Sequence, residues 1–156
     1  MRPVGVEFRE SREDSQMDAG RRPRALVVED EPHVRELWCE FLKLLGWDFD
    51  QAGTGTEGLT CLAQASYDLL VTDLRMPGLN GWDLAWETRR RDPSVGVIVI
   101  SGSSTSIDVN LLKEPGVTLL EKPIDLSTFR KAVQESLAAR TLAAQREAEP
   151  AAATRV

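Results

Sequence analysis

The stretch Ala25-Leu26-Val27-Val28-Glu29-Asp30-Glu31-Pro32 decides how the rest of the chain is read. Four consecutive apolar residues without polar alternation fit a strand covered on both faces, the habit of parallel sheets. The three acids that follow break the strand, and Pro32 stands where the first turn of a helix tolerates it. Beyond it, apolar residues fall at Val34, Leu37, Trp38, Phe41, Leu42 and Leu45. Spacings of three and four mark one face of a helix, and Gly46 is the expected stop. A buried strand, an acidic turn and an amphipathic helix make the opening unit of an alternating α/β fold.

The same unit recurs downstream. Residues 47–52 alternate like a strand, and residues 56–65 suit a short helix. Leu69-Leu70-Val71 is a second buried strand that ends at Asp73, followed by a helix over residues 82–90. Residues 95–100 form the most hydrophobic strand. Residues 105–114 suggest a weak helix, rich in Ser and Thr at its start and halted by Pro115-Gly116. Residues 117–120 are the fifth strand, ahead of Lys122-Pro123, and Leu126, Phe129, Val133 and Leu137 mark a final amphipathic helix. Five strands alternating with five helices imply a parallel sheet with right-handed crossovers and helices on both faces. No internal repeat is evident.

The charge is uneven along the chain. Of 156 residues, 19 are Lys or Arg and 25 are Asp or Glu, for a net charge of −6. Residues 1–24 hold six Arg and five acids, and the Ala-rich residues 138–156 also sum to +1, which leaves −8 on residues 25–137. The ends are expected to be a disordered leader (1–24) and a frayed helical or disordered tail (138–156), with the folded domain over 25–137. An acidic domain argues against sequence-independent binding to nucleic acid or an anionic membrane. Two cysteines, Cys39 and Cys61, make no disulfide framework and read as reduced helix thiols. No secretory signal opens the chain, and the longest aliphatic run, residues 97–100, is far too short to span a bilayer. A cytoplasmic location is expected.

In an open parallel sheet, ligands bind outside the carboxyl ends of the strands, where strand order reverses. Those ends carry Glu29 and Asp30, Asp73, Ser101 and Lys122. Three carboxylates on one rim repel unless a cation neutralises them, and Mg²⁺ favours an all-oxygen shell. The expected ligands are Asp30 and Asp73 by carboxylate and Arg75 by its backbone carbonyl, with Glu29 acting through water. Asp73 is then placed to attack a phosphorus atom, with Lys122 and the Ser101 hydroxyl stabilising the phosphoryl oxygens.

Four segments carry a resemblance: Val27-Val28-Glu29-Asp30-Glu31-Pro32, Asp73-Leu74-Arg75-Met76-Pro77-Gly78-Leu79-Asn80-Gly81, Ser101-Gly102 and Glu121-Lys122-Pro123. In order, spacing and strand context they resemble the receiver domains of two-component response regulators, the CheY-like superfamily, across residues 25–137. The resemblance implies a flavodoxin-like, doubly wound sheet in the order 2-1-3-4-5. It implies a phosphoryl group passed from a histidine kinase or histidine phosphotransfer protein onto Asp73 with Mg²⁺. It implies further that Ser101 and the face formed by helix four, strand five and helix five respond, a face through which such domains also form homodimers.

Receivers usually carry an aromatic residue three positions before the lysine, and here that switch position is Leu119, with no ring to swing. The Ser-rich start of the fourth helix lacks good helix formers, so residues 102–116 are expected to be mobile and to order on phosphorylation. Too few residues follow Leu137 for an output domain, so signalling is expected through docking to a separate protein or through onward phosphotransfer. His33, the sole histidine, reads as an exposed first-turn residue. Trp82 and Trp86 read either as packing beside the core or as a partner-binding patch. Arg89-Arg90-Arg91 reads as a solvated helix end favoured by the helix dipole.

Three other classes compete. A phosphatase of the haloacid-dehalogenase type also uses an Asp nucleophile and Mg²⁺, but requires an acid where Arg75 stands. A degenerate receiver acting as a phosphorylation-independent interaction module would lack the acid pair, Asp73 or Lys122, and all are present. A flavin or nucleotide carrier would need a Gly-rich phosphate loop after the first strand, where this chain is acidic.

Overall fold

A computed structural model describes residues 21–102 and 107–148, with side chains through residue 139. The expected leader lies outside these residues up to position 20, as do residues 103–106 and 149–156. The elements run β1 (Arg24–Val28), α1 (Pro32–Leu44), β2 (Asp48–Ala52), α2 (Gly55–Gln64) and β3 (Leu69–Asp73), then α3 (Gly81–Arg91), β4 (Gly96–Ser101), α4 (Val109–Leu112), β5 (Val117–Glu121) and α5 (Leu126–Ala148). The sheet order is β2-β1-β3-β4-β5 with every pair parallel, the expected α/β architecture. Order reverses between β1 and β3, so the chain leaves these neighbouring strands toward opposite faces and a crevice opens at their carboxyl ends.

Side chains of each strand alternate between two cores. Ala25 and Val27 face α1 and α5, where they meet Trp38, Leu42, Phe129 and Val133. Leu26 and Val28 face the other layer, with Cys61, Leu84, Ala85 and Leu111. The four apolar residues of β1 are fully buried, as the unbroken apolar run requires. Each such side chain contributes about 1.5–3 kcal/mol relative to exposure. The Phe41 and Phe129 rings, 5.3 Å apart and tilted by 48°, join α1 to α5.

Local signals set the element ends. Thr54 caps α2 by accepting from the Glu57 amide at 3.0 Å. Asn80 and Asp83 form a reciprocal capping box at the start of α3. Gly46, at φ 85°, follows the end of α1, and only glycine adopts that conformation without strain. The helical stripe of α1 is rotated from the expected one: Leu37 is 46% exposed, whereas Arg35 joins Trp38 and Leu42 on the buried side. The fourth helix, expected over residues 105–114, is the four-residue α4 within the described residues. The boundary drawn at residue 137 falls inside α5.

Strand β2 departs from simple alternation at Asp50, which is 2% exposed. Two hydrogen bonds from Arg24 Nη2, at 2.9 and 2.8 Å, and one from the Tyr67 hydroxyl, at 2.6 Å, satisfy its carboxylate. Cys39 and Cys61 are free and buried, and burial pushes their thiols up to about 12 and about 11, so both stay protonated and inert. No helix among the described residues is long and apolar enough to cross a membrane.

Candidate functional site

The carboxyl ends of β1 and β3 bring Glu29, Asp30 and Asp73 together, with one carboxylate oxygen from each lying within 4.8 Å of the others. They are adjacent because Val28 pairs with Thr72 in the β1–β3 ladder, so both strands end side by side. Glu29 is 1% exposed and Asp73 is 5% exposed, while Asp30 faces solvent. The Lys122 ammonium enters from the end of β5, with Nζ 3.0 Å from Asp73 Oδ1 and 3.8 Å from Glu29 Oε1. It also lies 5.9 Å from the centroid of the Trp38 ring, whose face favours a cation. The Lys122–Pro123 peptide bond is cis.

Neighbouring backbone holds these groups in place. The Lys122 amide donates to the Ser101 carbonyl at 2.8 Å, and Ser101 pairs in register with Glu121. Ser101 itself is 2% exposed at the end of β4. The Leu74 amide donates to the Ile100 carbonyl at 2.8 Å, which extends the β3–β4 ladder past Asp73. Arg75 follows two residues after Asp73 with an exposed side chain. Leu119 is half-buried on β5 and packs against the core shared by α2, α3 and α4.

Electrostatics follow from this crowding. Burial foremost, opposed by a backbone hydrogen bond from Glu31 and reinforced by the charge of Asp73, lifts the Glu29 carboxyl from 4.5 to about 7. Burial also raises Asp73, against the downward pull of Lys122 and with an upward push from Asp30. Burial works to lower Lys122, but the hydrogen bond to Asp73 and the charges of Glu29, Asp73 and Asp30 outweigh it and raise it. One oxygen of Glu29 accepts from the Glu31 amide at 2.9 Å, whereas Oε1 is buried without a hydrogen-bond partner. An orphaned buried carboxylate oxygen beside two further carboxylates fits a hard divalent cation.

Two contributors are missing from the sequence reading. Arg35 Nη1 donates to the Glu29 carbonyl at 2.7 Å and so pins the acidic turn to α1. Its signal was its place three and seven residues before Trp38 and Leu42, inside the stripe. Gly81 is the second: a Cβ there would run into the backbone of Asp73 and Leu74. Its amide donates to the Leu74 carbonyl at 2.9 Å, so α3 starts directly against the Asp73 turn.

Comparison with known proteins bears on the family and the fold. The family model described as response regulator receiver domain matches residues 25–134. The chain therefore belongs to the response regulator receiver domain family, in the CheY-like group of two-component systems. It is 34% identical over 117 residues to the response regulator protein PilR of Pseudomonas aeruginosa, covering 74% of this chain and 26% of that one. It is 38% identical over 91 residues to the transcriptional regulatory protein AruR of the same organism, covering 55% of this chain and 37% of that one. The chain thus spans between 26% and 37% of the length of these two relatives. The crystal structure of a response regulator receiver protein from Sinorhizobium medicae superposes with a TM-score of 0.68 at 26% identity. That match covers 76% of this chain and 97% of the other. Receivers of this family are not classical enzymes.

Proposed function

We propose that this receiver takes a phosphoryl group from a phosphohistidine donor onto Asp73 and passes the signal on by protein docking or onward phosphotransfer. The observation that carries this reading is the contact of Lys122 Nζ with Asp73 Oδ1 at 3.0 Å, beside the carboxylates of Glu29 and Asp30. The donor is a histidine kinase or a histidine phosphotransfer protein, and the downstream target is a protein. A cytoplasmic location accords with such a donor, and so does a folded unit over residues 25–137.

An oxygen of Asp73 forms the new P–O bond while the P–N bond to the donor imidazole breaks. The departing nitrogen keeps the electron pair and takes a proton from water. Lys122 releases its hold on the free carboxylate and pairs with a phosphoryl oxygen, and the Ser101 hydroxyl donates to another. Glu29, Asp30, Asp73 and the Arg75 carbonyl are the groups that would hold Mg²⁺. When bound, that ion supplies positive charge against both the carboxylates and the phosphoryl oxygens.

Incubation of the protein with acetyl phosphate and Mg²⁺, followed by intact mass, tests the reading. The expected result is the gain of one phosphoryl group, lost in Asp73→Asn. No gain, together with no Mg²⁺ binding, would instead support a phosphorylation-independent interaction module.

A further inference from the structure

Helix α4 cannot stand by itself. Four residues make little more than one turn, far below the length at which a helix persists unaided. Val109 is 59% exposed, and within the helix only Leu111 is fully buried. Leu111 seats the segment in the core beside Val97, Val99 and Val117 of β4 and β5, and α3 adds a polar tie. Trp86 is 47% exposed, yet its indole Nε1 donates to Asp108 Oδ2 at 2.6 Å. The other oxygen, Asp108 Oδ1, accepts from the Leu111 amide at 3.0 Å and caps α4. One carboxylate therefore both starts α4 and ties it to α3.

Between the two helices lies a cleft of about 490 Å³ whose lining includes Trp86, Arg89, Pro93, Leu111 and Glu114. At its far end Arg89 Nη2 donates to the Pro115 carbonyl at 2.9 Å. The Arg89 side chain is 10% exposed, and its Nε and Nη1 are buried without hydrogen-bond partners. The closed arrangement thus joins a strong charge-assisted bond at one end to an incompletely solvated cation at the other.

We propose that the Trp86–Asp108 hydrogen bond is a latch that gates α4 against α3. Closed, the indole N–H engages Asp108 and the cleft is narrow. Open, α4 lifts from α3, exposes Leu111 beside the already exposed Trp86 and Pro93, and returns the Arg89 guanidinium to water. The bond and the desolvated cation pull in opposite directions, so opening is a local event that leaves the sheet intact. Helix α3 begins at Gly81 against the Asp73 backbone, which puts the latch on an element that abuts the acidic rim. The latch stands independently of whether Asp73 is phosphorylated.

Hydrogen exchange of the amides of residues 109–113, in the full chain without phosphoryl donor, tests it. Trp86→Phe keeps a ring and removes the donor. Asp108→Asn retains an oxygen for the α4 cap but offers an amide N–H₂ where the indole needs an acceptor. Each is expected to speed exchange in this segment about tenfold, with the double variant no faster than the faster single one. Protection in β1 and β3 should stay unchanged. Unchanged exchange in Trp86→Phe, additive effects in the double variant, or uniform loss of protection across the sheet would each overturn the latch.

Discussion

Arg35 reaches back from α1 to the carbonyl of Glu29, at 2.7 Å, and so fixes the backbone of the turn that carries the acid pair. A residue that touches no ligand directly can in this way set the geometry of those that do. Replacing Arg35 with Met keeps most of its apolar stem and removes the bond. Mg²⁺ affinity, followed by titration calorimetry, is expected to fall about 10-fold to 100-fold, as for other losses of outer-sphere support. An unchanged affinity would show that the turn holds its shape without Arg35.

Lys122 bridges two carboxylates, 3.0 Å from Asp73 and 3.8 Å from Glu29. Its removal has opposite effects on the two reactions of the rim. In Lys122→Met, phosphorylation by acetyl phosphate should slow about 100-fold or more, because one phosphoryl oxygen loses its charged partner. Mg²⁺ should bind the unphosphorylated protein more tightly, because no ammonium competes for the carboxylates. Intact mass and calorimetry read the two arms separately.

Glu29 makes stability depend on pH with a definite sign. Burial first, then the charge of Asp73, lifts its carboxyl from 4.5 to about 7 against the Glu31 backbone bond. The metal-free folded state therefore binds this proton more tightly than the unfolded chain does. That contribution is fully present below about 4.5 and is lost as pH rises through about 7. Urea denaturation should show the wild type losing stability relative to Glu29→Gln over this window, with saturating Mg²⁺ abolishing the loss. Parallel pH profiles for the two proteins without metal would remove Glu29 as the cause.

Gly81 and Gly78 separate crowding from backbone conformation within one loop. A Cβ at Gly81 collides with the Asp73 and Leu74 backbone, whereas Gly78, at φ 79°, has open space around it. Gly81→Ala should cost about 1–3 kcal/mol and also slow phosphorylation, because Asp73 itself must shift. Gly78→Ala should cost about 1 kcal/mol, through its positive φ, and leave the phosphorylation rate nearly unchanged. Thermal melts and the acetyl phosphate reaction together distinguish them.

Much of this architecture was legible because one physical pattern repeats. A run such as Ala25 to Val28 admits few alternatives to a strand buried on both faces, and acids at the ends of two neighbouring strands must meet. Glu29, Asp30, Asp73 and Lys122 could therefore be placed on one rim from order alone. Arg35 was masked despite its helical spacing, because hydropathy assigns a charged residue to solvent while its guanidinium here satisfies a buried carbonyl. Leu37 failed for the complementary reason: several adjacent rotations of α1 present apolar residues, and packing against Phe129 and Trp47 selects among them. Asp50 was hidden too, since its burial depends on two residues distant in sequence, Arg24 on the neighbouring β1 and Tyr67 just before β3. The late start of α4 is set by Asp108, a cap whose second oxygen is claimed by another helix.

Two buried carboxylates of the sheet differ in one respect. Asp50, in the middle of β2, has both oxygens satisfied by Arg24 and Tyr67 from within the chain. Glu29, at the carboxyl end of β1, keeps one oxygen without a hydrogen bond, with the Lys122 ammonium 3.8 Å away. A dissolved cation is therefore expected to act at the Glu29 rim and to leave the Asp50 cluster untouched. A divalent ion should firm up the Glu29 end alone, turning a symmetric-looking sheet into one whose rigidity is graded by the composition of the surrounding solution.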